Sequence, residues 1–185
     1  LRRKWSSLSA SMSLYRDEDA IRALRPWGPV PPAPPGRSWA DLMAEALALA
    51  RRAGRTGEVP VGALVVDDEG RILGAAHNET EALRDPTAHA EVLALRRAAE
   101  AARNHRLEGC VLVVTLEPCL MCAGAIREAR LSGLVYGAAD ARAGAVSSCL
   151  DGLAYGLEGP APWHYGGVEA GPCAAVLRAF FAARR

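Results

Sequence analysis

Cys110-Val111-Leu112-Val113-Val114-Thr115-Leu116 is the clearest core strand in the sequence, because its residues are almost all apolar and mostly β-branched. A helix is predicted directly after it, over Cys119 to Arg130. Pro118 opens this helix at no cost, since the first turn leaves its backbone N–H unpaired in any case. Leu134 to Gly137 predicts the next strand. Strand, helix and strand in this order favour an α/β layer.

The rest of the chain continues this alternation of helices and strands. The further predicted elements are a helix over Trp39 to Ala53 ended by Gly54, a strand over Val59 to Val66, a hairpin partner over Arg71 to Ala76, a helix from Ala88 to about Arg103 capped by Thr87, and a closing helix over Cys173 to Phe181. Together they predict an α/β domain with a sheet between helices.

Residues 1–38 differ in composition from the rest of the chain. Pro26 to Gly36 is too rich in proline for a helix or a paired strand, so it predicts an extended, polyproline-like arm. A short helix fits before it, around Asp17 to Leu24. The chain is therefore divided into a flexible Pro-rich extension, residues 1–38, and one folded domain, residues 39–185.

Composition excludes several classes of protein. The formal net charge of +1 provides no chain-wide basic field, so any nucleic-acid contact must come from local patches or from shape. No apolar run approaches the roughly 20 residues of a membrane span. Leu1 to Lys4 is basic, but serine and charge come next, where a signal peptide needs an apolar stretch. We therefore expect a cytoplasmic protein without a membrane partner.

Three residues form a candidate metal site. The cysteine count is odd, at five, so a Cys-x-x-Cys pair favours metal binding or redox chemistry over a disulfide framework. Cys119 and Cys122 lie three apart at a helix start, which brings their sulfurs to one side of its first turn. With the imidazole of His89 they supply the N and S donors that zinc prefers.

Glu91 adds the chemistry that distinguishes a catalytic zinc site. His89-Ala90-Glu91 with Pro118-Cys119-x-x-Cys122 is the pattern of zinc nucleobase deaminases, in which the glutamate moves protons and does not bind the metal. Two alternatives remain open: a structural zinc site closed by a fourth ligand, and a thiol redox pair. No other histidine stands at a recognisable ligand spacing, which favours an open, catalytic position.

Three blocks of sequence resemble the bacterial tRNA-specific adenosine deaminases of the cytidine deaminase-like superfamily. The blocks are Glu58 to Ala63, Asp85 to Glu91, and Thr115 to Ala125. The resemblance covers roughly residues 39–185. It implies a three-layer α/β/α fold with a central five-stranded mixed sheet, usually as a homodimer with one Zn²⁺ per subunit. It further implies hydrolysis of adenosine to inosine at the wobble position of a tRNA anticodon stem-loop.

The resemblance also assigns roles to single residues. His89, Cys119 and Cys122 match the zinc ligands, and Glu91 matches the proton shuttle. Asn78 matches the asparagine that hydrogen-bonds the flipped-out base.

The loop Gly137 to Ala145 resembles the one that meets the anticodon, with Asp140 at the matching aspartate. This loop departs from the family at Ala139, where a basic residue is usual, and at Arg142, where lysine is usual.

Several alternatives remain open at this stage. Without the family pattern, Asn78 is better explained as a turn residue that ends a hairpin strand, and the alternative for Asp140 is a residue that caps a turn. The same zinc and glutamate chemistry serves deaminases of free bases or nucleotides, of guanine or cytosine type. A basic groove formed by Arg127, Arg130 and Arg142 would favour RNA, and a closed lid would favour a small molecule. A non-catalytic subunit with a vestigial site is the remaining class, and the presence of Glu91 argues against it. The aromatic run Trp163-His164-Tyr165 fits either base stacking or buried packing.

Overall fold

The computed structural model describes residues 30–154 and 161–184. Five helices and five strands are present in this part of the chain. In chain order they are α1 (Trp39–Arg55), β1 (Gly62–Val66), β2 (Ile72–His77), α2 (Thr80–Leu83), α3 (Ala90–Ala102), β3 (Val111–Leu116), α4 (Leu120–Glu128), β4 (Gly133–Ala138), β5 (Trp163–Gly166) and α5 (Ala170–Ala182).

The strands form one mixed sheet in the order β2-β1-β3-β4-β5. β1 is antiparallel to both of its neighbours, whereas β3, β4 and β5 run parallel. The central strands β1, β3 and β4 are buried along almost their whole length, as expected for a sheet covered on both faces. The predicted five-stranded mixed sheet is confirmed.

Helices pack closely against both faces of the sheet. A Cβ added to Gly62 would lie 2.1 Å from the carbonyl oxygen of Ala46 in α1, and one added to Gly74 would lie 2.2 Å from that of Ala94 in α3. The two glycines lie on opposite faces, because Gly74 pairs with Val65, three residues from Gly62 in β1. α5 joins α1 on one face, and α4 packs beside α3 on the other. This is the predicted α/β/α layering.

Some predicted boundaries were wrong for local reasons. β1 begins at Gly62 and not at Val59, since Pro60 has no N–H for the sheet and the Val61 N–H instead bonds the Val59 carbonyl. Thr87 does not cap a helix: its N–H and hydroxyl both bond Asp85, and α3 begins three residues later at Ala90. The short helix α2 lies between the predicted hairpin strand and the predicted helix from Ala88, where the sequence predicted no regular element.

The described part of the Pro-rich segment packs against the domain. The Trp39 indole N–H donates to the Pro31 carbonyl at 3.0 Å, and its ring packs against Trp163 with centroids 5.8 Å apart. Ser38 caps α1 by accepting the Asp41 N–H at 3.1 Å. Residues 1–29, including the helix predicted around Asp17 to Leu24, lie outside the described residues. The flexible extension therefore stays a prediction.

These contacts change what we expect from truncation. Deleting residues 1–37 should leave a folded, active domain but lower its melting temperature by about 3 °C relative to deletion of residues 1–29. The reason is the lost hydrogen bond to Trp39, worth about 1 kcal/mol, at about 2–4 °C per kcal/mol for a chain of this size. Thermal denaturation of the two truncated proteins measures the difference. Equal melting temperatures would contradict a stabilising role for residues 30–37.

One edge of the sheet collects the segments that carry the sequence motifs. The parallel strands β3 and β4 both end there, so the segment after Leu116 and the segment after Ala138 lie side by side. The antiparallel neighbours bring the start of β1 and the end of β2 to the same edge. The carboxyl ends of parallel strands are the usual place for ligands in α/β sheets. Within the described ranges, no helix is long and apolar enough to cross a membrane.

Candidate metal centre

His89, Cys119 and Cys122 converge at this edge. The two sulfurs lie 3.7 Å apart, and the His89 Nδ1 lies 3.7 Å from the Cys119 sulfur and 3.5 Å from the Cys122 sulfur. Zn–S bonds of about 2.3 Å and Zn–N bonds of about 2.0–2.1 Å at tetrahedral angles would place the sulfurs about 3.8 Å apart and each about 3.5 Å from the nitrogen. The three side chains therefore fit one zinc ion in both donor type and spacing.

The cluster leaves one tetrahedral position for a non-protein ligand. Among the residues that the structure describes, no further histidine, cysteine or carboxylate joins the three ligating groups. His77, His105 and His164 all lie in the described ranges and none belongs to the cluster. A structural zinc site is normally closed by four protein ligands. The geometry is that of an open site, in which a small molecule can complete the coordination.

Two helix starts hold the ligands. His89 and Cys119 are the N-cap residues of α3 and α4, and both have extended backbone. Cys122 lies in the first turn of α4 and is buried. The N-terminal end of a helix stabilises negative charge. The hydrogen bonds of Cys119 to Cys122 and His89 lower the pKa of its thiol to about 4, although burial acts in the opposite direction. The same hydrogen bond to Cys119, together with burial, raises the pKa of the Cys122 thiol. Before metal binding, the site therefore favours the thiolate that zinc requires at Cys119 and the protonated thiol at Cys122.

Glu91 lies in the first turn of α3 and is only 4% exposed. Burial raises the pKa of its carboxyl group, and the neighbouring His89 and Cys122 partly oppose that shift. Since His89 is at the helix tip, the spacing of two residues still brings both groups to the same end of α3. A buried carboxyl group with a raised pKa beside the metal ligands is suited to take up and release a proton.

Asn78 links two segments of the site. Its side-chain N–H donates to the Val59 carbonyl at 3.1 Å, and its side-chain oxygen accepts the Ala90 N–H at 2.8 Å. The second bond satisfies a backbone donor at the start of α3, the task that the sequence had assigned to Thr87. An amide has a second N–H and a second lone pair. Asn78 therefore acts as a structural tie and retains groups for a ligand.

Asp140 is 9% exposed and shapes the turn after β4. Its side chain accepts the backbone N–H groups of Arg142 and Ala143 at 2.9 and 3.3 Å. This is the turn-capping alternative that the sequence left open. Its predicted contact with substrate stays a prediction.

Two buried glutamates were missed by the sequence reasoning. Both Glu58 and Glu117 are 2% exposed. Glu58 accepts the backbone N–H groups of Glu81 and Ala82 and the hydroxyl of Thr80, so it holds the start of α2. Glu117 binds the loop after β4 in the same manner. The available signal was a single carboxylate next to an apolar strand, at Leu116-Glu117, because a buried carboxylate requires several donors.

The other candidate surface residues fall into two groups. Arg127 is only 8% exposed, so it does not contribute to a surface groove, whereas Arg130 and Arg142 are exposed. Trp163-His164-Tyr165 forms most of β5 and is half-buried, with Trp163 against Trp39. The packing alternative for this aromatic run agrees with the structure.

Known proteins share the segments that form this site. The sequence model of the cytidine and deoxycytidylate deaminase zinc-binding region matches residues 37–138, which include every segment of the metal centre. The chain belongs to this family. A tRNA-specific adenosine deaminase of Agrobacterium fabrum is 46% identical over 144 residues, which cover 78% of this chain and 94% of that protein. The predicted resemblance to tRNA-specific adenosine deaminases is confirmed.

One longer protein and one solved structure are similar to about three quarters of this chain. A tRNA(Ile)-lysidine synthase of Deinococcus radiodurans is 49% identical over 139 residues, 75% of this chain, and the chain spans about a quarter of that protein's length (24%). A structure from work on A-to-I editing by tRNA:A34 deaminases at the wobble position superposes with a TM-score of 0.71 and 44% identity. It covers 74% of this chain and 99% of the other. The cytidine deaminase-like fold and the fit of one Zn²⁺ are confirmed.

Proposed function

We propose that this deaminase hydrolyses adenosine to inosine at the wobble position of tRNA, with release of ammonia. The observation that carries the proposal is an open three-ligand site beside a buried carboxyl group, Glu91. This site lies in a chain that is 46% identical to a tRNA-specific adenosine deaminase over 94% of that protein's length. A tRNA substrate is also consistent with the cytoplasmic localisation expected from the sequence.

The reaction needs one water and two proton transfers. His89, Cys119 and Cys122 would hold the zinc, which when bound supplies a water acidified to near-neutral pKa. Glu91 accepts the proton of that water and donates it to the ring nitrogen next to the amino group. As the water oxygen bonds to the carbon that carries the amino group, Glu91 takes the second proton of that oxygen and gives it to the amine. The C–N bond then breaks, the amine leaves as ammonia, and the carbon keeps the oxygen as a carbonyl. The carboxyl group ends in its starting state, so one glutamate completes the cycle.

We propose that Asn78 and Asp140 border the substrate. Asn78 retains one N–H and one lone pair beyond its bonds to Val59 and Ala90, the complementary pair that a purine edge requires. Asp140 fixes a turn that ends in the exposed Arg142. Its contribution to binding would be the shape of this loop and the placement of a cation near the RNA backbone.

A deaminase of free guanine or cytosine compounds is the alternative. It would use the same zinc ligands and the same glutamate, so the metal centre does not separate the two functions. Arg130 and Arg142 provide exposed cations for a polynucleotide, although Arg127 is buried and does not extend them into a groove.

The deciding experiment compares substrates on the zinc-loaded protein. An anticodon stem-loop RNA with adenosine at the wobble position is incubated in parallel with free adenosine, guanine and cytidine, and inosine and ammonia are quantified. A matched stem-loop with guanosine at that position is the control. Inosine from the adenosine stem-loop alone supports the proposal. Ammonia from a free base, with the stem-loop unchanged, would contradict the tRNA assignment and support a free-base substrate.

We further propose that the protein is a homodimer. Leu120 and Met121 at the start of α4 are 57% and 37% exposed, and Leu150 is 46% exposed, although they lie close in sequence to the metal ligands and the loop after β4. Large apolar side chains so exposed favour a protein interface. Light scattering coupled to size-exclusion chromatography should give twice the mass of one chain for wild type. The Leu120→Glu variant should give the mass of a single chain. A monomeric wild-type protein would contradict the proposal.

A further inference from the structure

We propose that Glu117 is a positioning residue of the deamination site, which fastens the loop of residues 139–148 against the zinc-ligand segment and so sets the wall that contacts the substrate. The inference rests on the proposed function for the identity of the substrate. The attachment of the loop itself is independent of that function. Glu117 does not belong to the metal cluster, and its carboxylate faces the loop.

The carboxylate binds the loop at both of its ends. One oxygen accepts the backbone N–H groups of Val146, Ser147 and Ser148, at 3.1, 2.7 and 2.9 Å. The other oxygen accepts the Asp140 N–H at 3.0 Å and the Ser148 hydroxyl. Three successive amides directed at one oxygen form an anion-binding nest. The two ends of the loop are therefore held together by a single side chain.

The backbone next to Glu117 attaches the middle of the loop. The Ala145 N–H donates to the Pro118 carbonyl at 2.8 Å, and Cys119 forms an isolated bridge with Gly144. A Cβ on Gly144 would lie 2.4 Å from the Glu117 carboxyl carbon, so only glycine allows the carboxylate to lie this close. The loop thus runs along the ligand segment from Glu117 to Cys119, which places it beside the metal centre.

This arrangement predicts what the loss of the carboxylate would change. The zinc ligands lie on other side chains, so zinc binding and the proton transfers should persist. The loop would lose the acceptor for its buried amides, and such amides are costly to leave unpaired. An ordered loop would then have to form on each binding event, and the ordering cost weakens substrate binding. The expected effect is therefore on KM much more than on kcat.

The experiment uses the zinc-loaded, full-length protein with Glu117→Gln, which keeps the shape of the side chain and replaces one acceptor oxygen by a donor. We expect full zinc content, a KM for the stem-loop raised about tenfold or more, and a kcat within about threefold of wild type. Unchanged KM together with unchanged kcat would overturn the proposal, as would a loss of zinc.

A second readout monitors the loop without using activity. Arg142 is exposed in the loop, so trypsin should cleave after it faster in Glu117→Gln than in wild type. Glu58→Gln is the matched control, because Glu58 is equally buried and accepts similar bonds, but from α2. It should leave cleavage after Arg142 unchanged. Equal cleavage in Glu117→Gln and wild type would overturn the attachment of the loop.

A milder variant keeps the test decisive if Glu117→Gln does not fold. Ser148→Ala removes one donor to the carboxylate and should raise KM and tryptic cleavage in the same direction by a smaller factor. If wild type does not act on the stem-loop, the proposed function has failed. Cleavage after Arg142 still tests the attachment of the loop, and KM is then measured on whichever base or nucleoside wild type deaminates.

Discussion

Replacement of Glu91 by glutamine is expected to lower kcat by about 10³-fold while the protein keeps its zinc. General acid–base catalysis contributes typically about 10²–10⁴-fold, and glutamine has neither a proton to give nor the basicity to accept one. The side chain keeps its size in a position that is 4% exposed, so packing should be preserved. Single-turnover conversion of the stem-loop, with zinc measured by mass spectrometry, provides both values.

The matched control for this variant is Glu100→Gln. Glu100 lies on the same helix, α3, but is exposed, so the change in charge is identical while the proton-transfer site is untouched. Its kcat should equal that of wild type. Turnover by Glu91→Gln within tenfold of wild type would remove Glu91 from the mechanism, and loss of zinc would show that its carboxyl group supports the metal instead.

Cys119→Ser is expected to abolish zinc binding and to lower the melting temperature by about 10 °C. A serine hydroxyl does not ionise near neutral pH, whereas the pKa of the Cys119 thiol is lowered to about 4. Zinc joins the starts of α3 and α4, so its binding free energy stabilises the folded state. A ligand at about 1,000 times its Kd contributes about 4 kcal/mol, at about 2–4 °C per kcal/mol.

A chelator distinguishes the effect of zinc loss on the melting temperature from the effect of the substitution itself. Removal of zinc from wild type should lower the melting temperature by a similar amount, and the melting temperature of Cys119→Ser should no longer respond to the chelator. Cys149→Ser is the control, because Cys149 is an exposed thiol outside the cluster. It should keep its zinc and its melting temperature. Zinc bound stoichiometrically to Cys119→Ser would contradict the ligand assignment.

The metal cluster could be predicted from the sequence because its ligands are marked by short spacings and by helix starts. The cysteines stand three apart, and His89 stands at a helix start, so ordinary helix geometry brings each pair of groups to one side. The apolar run before Leu116 likewise identified the central strand. Hydrophobic periodicity did not predict that the starts of α3 and α4 meet, because their meeting depends on the order of the strands in the sheet. The pattern of His89-Ala90-Glu91 with Pro118-Cys119-x-x-Cys122 predicted that these residues share one site.

The missed features depend on partners far apart in the sequence. Glu58 holds a helix that starts 22 residues later, and Glu117 binds amides 23–31 residues later. The cap expected from Thr87 is replaced by Asn78, 12 residues before Ala90. Each of these side chains has an ordinary local interpretation as a surface or turn residue. Only the folded chain shows that they are buried and which amides they satisfy.

The zinc ligands and the loop after β4 are held by different side chains, and this separation affects how such an enzyme changes during evolution. Mutations between Asp140 and Ser148 can alter the surface offered to a nucleic acid while the inward-facing amides remain bonded to Glu117. Selection can therefore vary the specificity of this loop without changing the zinc ligands or Glu91. A lineage of this fold is free to acquire new substrates while inheriting its chemistry unchanged.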